Sequence, residues 1–206
     1  GDLTVTNRAS SVARVLIENL TASVVGVGIN SGTTIARGDF AAGIIAGNSV
    51  TVTGKITVDN TWSSDSAATI TPLPVSIKLA SIDANAAVAI NRTNAASYIR
   101  GESGDAKIKA GSITVTGTGE AVSIARIVDP TFSGSVIAVA ANVAVAKLTA
   151  DQDVYTEDVT IDCAGAVSIT ANLNAGKTLS DSQDKANWNS GAAALLGGNG
   201  ANVSMY

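Results

Sequence analysis

The 206-residue chain has no histidine, a single cysteine, three prolines and only 3% aromatic residues. One cysteine cannot build the disulfide framework that stabilises many small secreted domains. Without histidine, Cys163 also lacks the base that usually activates a catalytic thiol. We therefore expect Cys163 to act as a small buried apolar residue.

Concentrated charge and long apolar runs are missing too. Thirteen Lys and Arg stand against 17 Asp and Glu, and the basic residues are scattered singly, with no stripe to neutralise phosphates. The longest apolar run, 136–145, is interrupted by Asn142 and is shorter than the roughly 18 residues of a membrane-spanning helix. We expect no nucleic-acid partner and no membrane insertion. The opening residues show no secretion leader, which predicts a mature product or an excised fragment.

The residues that are abundant favour strands. Apolar residues make up 46% of the chain and are chiefly Ala, Val and Ile, while Thr, Ser, Asn and Gly supply most of the rest. Branched side chains fit a pleated surface, and Ala and Gly let layers approach closely. The composition predicts many short strands joined by tight turns, with almost no α-helix.

An element that begins Ala-Gly and continues with alternating β-branched and hydroxyl residues occurs at 46–53, 110–116 and 164–170. Its glycines, Gly47, Gly111 and Gly165, are 64 and 54 residues apart, so we expect insertions between repeats. Residues 3–6 match the end of the same element. The glycine permits a turn, and the alternation predicts a half-buried strand.

A second element precedes each of these, at 25–30, 87–91 and 137–145. Large β-branched residues hold one parity and Gly or Ala holds the other, which is typical of a strand and unlike an amphipathic helix. We expect the small face to lie flat against a neighbouring layer, and the asparagines at the strand ends to stack on each other.

The parity of both elements predicts that their large residues point inward in stacked rows. These residues are Val25, Val27, Ile29, Val50, Val52, Val88, Ile90, Ile113, Val115, Ile137, Val139, Val167 and Ile169.

The order of the segments 87–99, 106–111 and 112–116 resembles the repeats of the leukotoxin-type filamentous adhesins. These are very large bacterial surface proteins with parallel β-helix shafts. The likeness covers three partial repeats from about Leu3 to Asn174, and 191–203 looks like the opening of a fourth. The chain departs from the pattern in its uneven repeat lengths and in the Pro72-Leu73-Pro74 insertion. The resemblance implies a shaft at the bacterial cell surface, and it supplies no catalytic residue and no cofactor.

Together these observations predict an all-β fold, a single parallel β-solenoid segment over residues 1–206. Its partial repeats are expected at about 3–53, 54–116 and 117–174. Residues 175–206, rich in Gly, Asn and Ala, open a further repeat or form a cap.

The segment that most resembles a site is the acidic stretch 151–158, whose alternating carboxylates are ligands of the kind that Ca²⁺ takes. The glycine and glutamate of an EF-hand loop are absent from it, as is the Gly-Gly-x-Gly-x-Asp pattern of calcium β-rolls. A solvated loop between strands is the preferred interpretation, and no metal site is assigned.

The hydroxyl and glycine motifs of the sequence have simple structural interpretations. Thr-x-Thr pairs begin at Thr4, Thr51, Thr69 and Thr114, but their long, unequal intervals are unlike the regular ranks of an ice-binding face. Outward strand threonines are the simpler interpretation. The glycine-rich stretches 26–28 and 197–200 do not fit a phosphate-binding loop.

Sugar contacts have weak support in the sequence. Trp62 and Trp188 lie in polar stretches and could stack on sugar rings, although a lone tryptophan more often covers an edge of the core. The glycosylation patterns at Asn19, Asn91 and Asn202 would be coincidental in a bacterial protein.

Three functions are compatible with this sequence. The first is a structural or adhesive rod segment of a bacterial cell-surface or extracellular filamentous protein, flanked end to end by like repeats, with a host-surface or glycan receptor as a further candidate partner. The second is a self-polymerising extracellular filament subunit. The third, a carbohydrate-active β-helix enzyme, is disfavoured because charged residues are only 15% of the chain and no acidic pair recurs. We predict no catalytic residue, no cofactor and no enzymatic activity.

Overall fold

The computed structural model describes residues 1–19, 25–72, 78–128, 133–175, 184–189 and 192–205. Regular structure in these ranges consists of twelve β-strands, and the described part of the chain contains no helix. Every strand pairing is parallel. The prediction of an all-β chain built on parallel pairing is confirmed. The expectation that the strands are short was wrong, since Lys78–Gly101 and Ser133–Glu157 are single strands of 24 and 25 residues.

The strands form three sheets. The first sheet contains, in order, β1 (Leu3–Asn19), β4 (Lys55–Pro72), β7 (Ser112–Val128) and β10 (Val167–Leu173), and β11 (Asp184–Asn189) also pairs with β7. The second sheet contains β2 (Val25–Ala46), β5 (Lys78–Gly101), β8 (Ser133–Glu157) and β12 (Ala192–Met205). The third and smallest contains β3 (Ser49–Thr51), β6 (Ala106–Ala110) and β9 (Val159–Cys163).

The chain visits the sheets in a fixed order. It runs through the first, second and third sheets and then returns to the first, beside the strand it left. We call each passage a circuit, and the circuits span 3–51, 55–110, 112–163 and 167–205. Leu3, Ile56, Ile113 and Val167 lie side by side in the first sheet and are 53, 57 and 54 residues apart. Equivalent residues of successive circuits therefore stack in rows.

A column of glycines marks the corner where each circuit begins. The main-chain N–H of Gly54 donates to Gly1 O at 3.0 Å, that of Gly111 to Gly54 O at 2.8 Å, and that of Gly165 to Gly111 O at 2.7 Å. A Cβ on Gly111 would lie 2.9 Å from Gly54 O, so the close approach requires glycine. The sequence comparison had matched Gly47 to Gly111. That match was wrong, because the counterpart is Gly54.

The interior next to the third sheet is filled as the parity predicts. Ile113 and Val115 are fully buried, together with Ile56 and Val58 of the preceding circuit. The half-buried Val50 and Val52 pack against the same cluster. Val167 and Ile169 continue the rows of Ile113 and Val115, but they are 45% and 46% exposed in the last circuit.

In the second sheet the predicted orientation of the large residues was wrong. Val25, Val27 and Ile29 are 65–76% exposed, Ile137 and Val139 are each 48% exposed, and Val88 and Ile90 are half-buried. The buried positions are the alternate, small ones: Gly26, Gly28, Ala87, Ala89, Ala144 and Ala146. The accompanying expectation, that the small face lies against a neighbouring layer, is confirmed.

The narrow gap between the first and second sheets explains this reversal. The Asn60 Nδ2 group donates across the gap to Phe40 O at 3.0 Å, and Ser123 Oγ donates to Ala89 O at 3.0 Å. Since one side chain of the first sheet reaches the main chain of the second, the gap holds a single layer of side chains. A Cβ on Gly32 would already lie 3.1 Å from a methyl of Val15. Opposite Val15 and Ile17, the second sheet therefore contributes only small residues, which are Gly32, Ala87 and Ala144.

Buried asparagines join the circuits along the stacking direction. Asn30 Nδ2 donates to Asn85 Oδ1 and Asn85 Nδ2 donates to Asn142 Oδ1, each at 2.8 Å, and Asn7 is bonded to Asn60 in the same way at 2.9 Å. An amide is both donor and acceptor, so it can repeat the same bond in every circuit. Stacking of asparagines is thus confirmed, although they lie within strands and the middle member is Asn85, not Asn91.

Candidate functional site

The acidic stretch 151–158 is not the solvated loop that we expected. Residues 151–157 form the end of β8, and Asp158, with φ of 51°, turns the chain into β9. Strand alternation turns Asp151 and Asp153 outward, whereas Gln152 points inward. Among the described residues there is no group of three or more metal-ligating side chains that could hold an ion.

Trp62 is unavailable as a sugar platform. Its side chain is 3% exposed, its indole N–H donates to Gln152 Oε1 at 2.5 Å, and its ring lies 5.9 Å from that of Phe40. The ring occupies the space above Gly119 of the next circuit, where a Cβ would lie 2.2 Å from Trp62 Cζ2. Trp62 is therefore a core residue. Trp188 lies in β11, and its side chain is outside the described set.

The outward threonines of the first sheet do form ranks. Thr4, Thr57 and Thr114 are neighbours across three circuits, and Ser168 continues the row. The sequence did not reveal this row, because Thr57 is not the first residue of a Thr-x-Thr pair. Thr51 lies in β3 and Thr69 lies farther along β4, so neither belongs to the row. The next row reads Thr6, Asp59, Thr116 and Thr170, so a carboxylate interrupts the hydroxyl surface.

A depression of about 390 Å³ opens on the first sheet near the end of β10. Its polar lining comes from Arg8, Thr61, Ser63, Thr118, Glu120 and Asn174. Glu120 is the only carboxylate among the lining residues. Glycoside hydrolysis generally needs two carboxylates that flank the scissile bond, and this depression offers one. Its hydroxyls and guanidinium can hydrogen-bond a polar ligand but form no acid–base pair.

Cys163 and Asn91 hold structural positions. The half-buried Cys163 packs against the cluster beside the third sheet, with Sγ 3.6 Å from Gly111 O. Asn91 is fully buried, and its Nδ2 group donates to Ser64 O at 3.0 Å and Val122 O at 2.9 Å. The Asn91 amide is therefore inaccessible to glycosylation in the folded chain.

An outward aromatic pair on the second sheet was missed in the sequence. The rings of Tyr98 and Tyr155 stack with centroids 5.6 Å apart, above Gly43 of the first circuit, and the guanidinium of Arg100 lies 5.7 Å from the Tyr98 centroid. The two tyrosines are 57 residues apart, which equals the offset between paired residues of β5 and β8. This shared offset could have identified them as neighbours from the sequence.

Comparisons with protein families, with curated proteins and with solved structures find no match to this chain. In the described ranges there is also no helix long and apolar enough to cross a membrane.

Proposed function

We propose that the chain is a segment of a parallel β-solenoid and serves as a structural rod of a bacterial cell-surface or extracellular filament. The observation that carries the proposal is the stacking of whole circuits in one direction. Three sheets, a glycine column and an asparagine ladder all repeat along that direction. Each internal circuit is hydrogen-bonded on both sides, so length is added by adding circuits.

The assignment to a bacterial surface rests on the resemblance of the repeats to filamentous adhesins. A rod needs reach and a stable interior more than it needs a reactive centre. The depression near Glu120 has one carboxylate, and Asp151 and Asp153 of β8 lie on the exposed outer side of the second sheet, which favours a structural role over catalysis.

The two ends of the stack offer strands for further pairing. β1, β2 and β3 at one end, and β9, β10 and β12 at the other, each have a neighbour on one side only within the described residues. Unpaired edges of this kind template further strands. We expect like repeats, in a longer chain or in other copies, to cover them.

Association through these ends can be tested with the purified chain. We expect scattering mass to grow with concentration beyond any fixed oligomer, and fibre diffraction to give a reflection near 4.8 Å along the particle axis. The hydrogen bond from Val52 N to Lys109 O directs the N–H of the adjacent Thr51 to the free edge of β3. Thr51→Pro should therefore slow growth while leaving the fold intact. A folded chain whose mass never exceeds that of a dimer would contradict end-to-end growth.

The adhesive part of the proposal is centred on the Tyr98–Tyr155 pair, whose ring faces and neighbouring Arg100 suit a glycan. If the rod binds cell-surface glycans here, Tyr98→Ala should weaken retention on a glycan array. Trp62→Phe, a change in the core, should leave retention unaltered. If Tyr98→Ala and the unaltered chain were retained equally, the tyrosine pair would not be the glycan-binding surface.

A further inference from the structure

The outer side of the second sheet carries a broad apolar surface. It comprises the outward residues within 25–35 of β2, 80–90 of β5 and 137–145 of β8, which we call the apolar face. Its most exposed large side chains are Val25, Val27, Ile29, Ile35, Ile82, Ile137, Val139 and Val143, at 38–76% exposure. No charged residue lies among these outward positions, and only Ser31 and Thr33 are polar, while Lys147 lies beside Ile90 at the border of the face.

Such a surface is unusual for this kind of sheet. Parallel sheets are normally covered on both faces, and their strands are then apolar on both sides. The first sheet covers the inner side of β2, β5 and β8, but no described residue covers the outer side. The apolar face thus has the residue composition of a buried sheet surface, yet no described part of this chain covers it.

The size of the apolar face is sufficient for a specific contact. Eleven residues along a strand extend about 33 Å and three strands extend about 14 Å across, which gives on the order of 500 Å². Two such faces pressed together bury roughly 1,000 Å², about the threshold for a specific interface. The fourth circuit continues the same sheet through β12, which pairs with β8.

We propose that the occupant of the apolar face is the same face of a second copy, packed sheet against sheet. Rows of β-branched side chains repeat at the strand spacing, and only a surface with that same spacing can interdigitate with all of them. A copy supplies that spacing automatically. Arg37, Arg92 and Lys147 border one end of the face, so in a two-fold arrangement with opposed strands the charges of the two copies lie at opposite ends of the contact. No charge is buried.

This inference is independent of the proposed rod function, because face-to-face pairing stops at two chains whereas end-to-end growth does not stop. Sedimentation velocity of Thr51→Pro, in which end-to-end growth is slowed, should show a monomer–dimer equilibrium. Adding Val27→Asp and Ile82→Asp should leave only monomer, with circular dichroism unaltered. The matched control, Thr57→Asp with Thr114→Asp on the outer side of the first sheet, should keep the dimer.

A cross-link tests the geometry of the pair. Ala86 lies near the centre of the apolar face, and a residue at the centre of a two-fold contact meets its own copy. In a Cys163→Ser background, Ala86→Cys should form an intermolecular disulfide on mild oxidation, whereas Thr114→Cys should not. The Cys163→Ser change keeps the background free of other thiols.

Three results would overturn the proposal. One is a monomer at every concentration; another is a dimer that persists when Val27 and Ile82 are both aspartate. The third is loss of folding on Ile82→Asp alone, since that would place Ile82 in the interior. Flotation of the monomer with neutral phosphatidylcholine vesicles, abolished by the same aspartates, would assign the face to a lipid surface instead of a second copy.

Discussion

The outer side of the first sheet and the apolar face of the second sheet present opposite chemistry on strands of the same kind. In β7 the large residues Ile113 and Val115 face inward and Thr114 and Thr116 face outward. In β2 the glycines Gly26 and Gly28 face inward, and the valines between them face solvent. Both strands alternate with a period of two, yet the large residues lie on opposite sides.

The difference teaches that available volume, as well as hydrophobicity, decides which side chain is buried. The first sheet already fills the gap with Val15, Ile17, Ile70 and Ile127. Opposite these side chains the second sheet places Gly32, Ala87, Ala89, Ala144 and Ala146, because interiors are packed to high density and resist extra atoms. The large residues within 25–35, 80–90 and 137–145 consequently lie on the outer side of the sheet, whereas Ile44 and Ile99 are buried in the core cluster beside the third sheet.

The largest expected difference in stability is between a carboxylate placed in an inward row of the first sheet and one placed on the apolar face of the second. Val115→Asp buries a charge in a fully enclosed position, which should cost several kcal/mol and unfold at least one circuit. Val27→Asp, on the apolar face, should alter the free energy of unfolding by about 0.5 kcal/mol or less. Urea denaturation followed by circular dichroism would measure both. Equal destabilisation by the two substitutions would show that the sheets do not differ in this way.

The period-two alternation was enough to predict the strands, their parallel stacking and the inward rows of the first sheet. It could not predict the orientation of β2, β5 and β8, because alternation defines two faces without saying which meets the opposing layer. The correct repeat offset was equally hidden. Gly47 and Gly54 both precede alternating strands, and only the main-chain bonds between Gly54 and Gly111 identify the true counterpart.

A smaller effect is expected from the asparagine ladder, the polar component of the same interior. Asn85→Ala removes the acceptor of Asn30 and the donor of Asn142, and should lower the free energy of unfolding by about 2–3 kcal/mol. Asn94→Ala is the matched control, since its bond to Asp39 is exposed. Comparing the urea midpoints of the two variants measures the ladder. If Asn94→Ala were as destabilising as Asn85→Ala, the asparagine ladder would make no special contribution to stability.

The smallest expected effect concerns the tight contact between Trp62 and the next circuit. A methyl group at Gly119 would overlap the indole ring, so Gly119→Ala should destabilise the fold by about 1–2 kcal/mol. It should also shift Trp62 fluorescence, measured in a Trp188→Phe background. Gly104→Ala is the control, because nothing lies within 4 Å of its added Cβ. An unchanged midpoint for Gly119→Ala would mean that the ring does not occupy this space.

The central claim, that the second sheet buries its small residues and exposes its large ones within 25–35, 80–90 and 137–145, is tested most directly by thiol accessibility. Single cysteines at Ile82 and at Ala89 in a Cys163→Ser chain would be labelled with a maleimide at a concentration low enough to keep the chain monomeric. The account predicts that the thiol from Ile82→Cys reacts as fast as in urea, whereas the thiol from Ala89→Cys is protected until the chain unfolds. Protection of the first and rapid labelling of the second would contradict it.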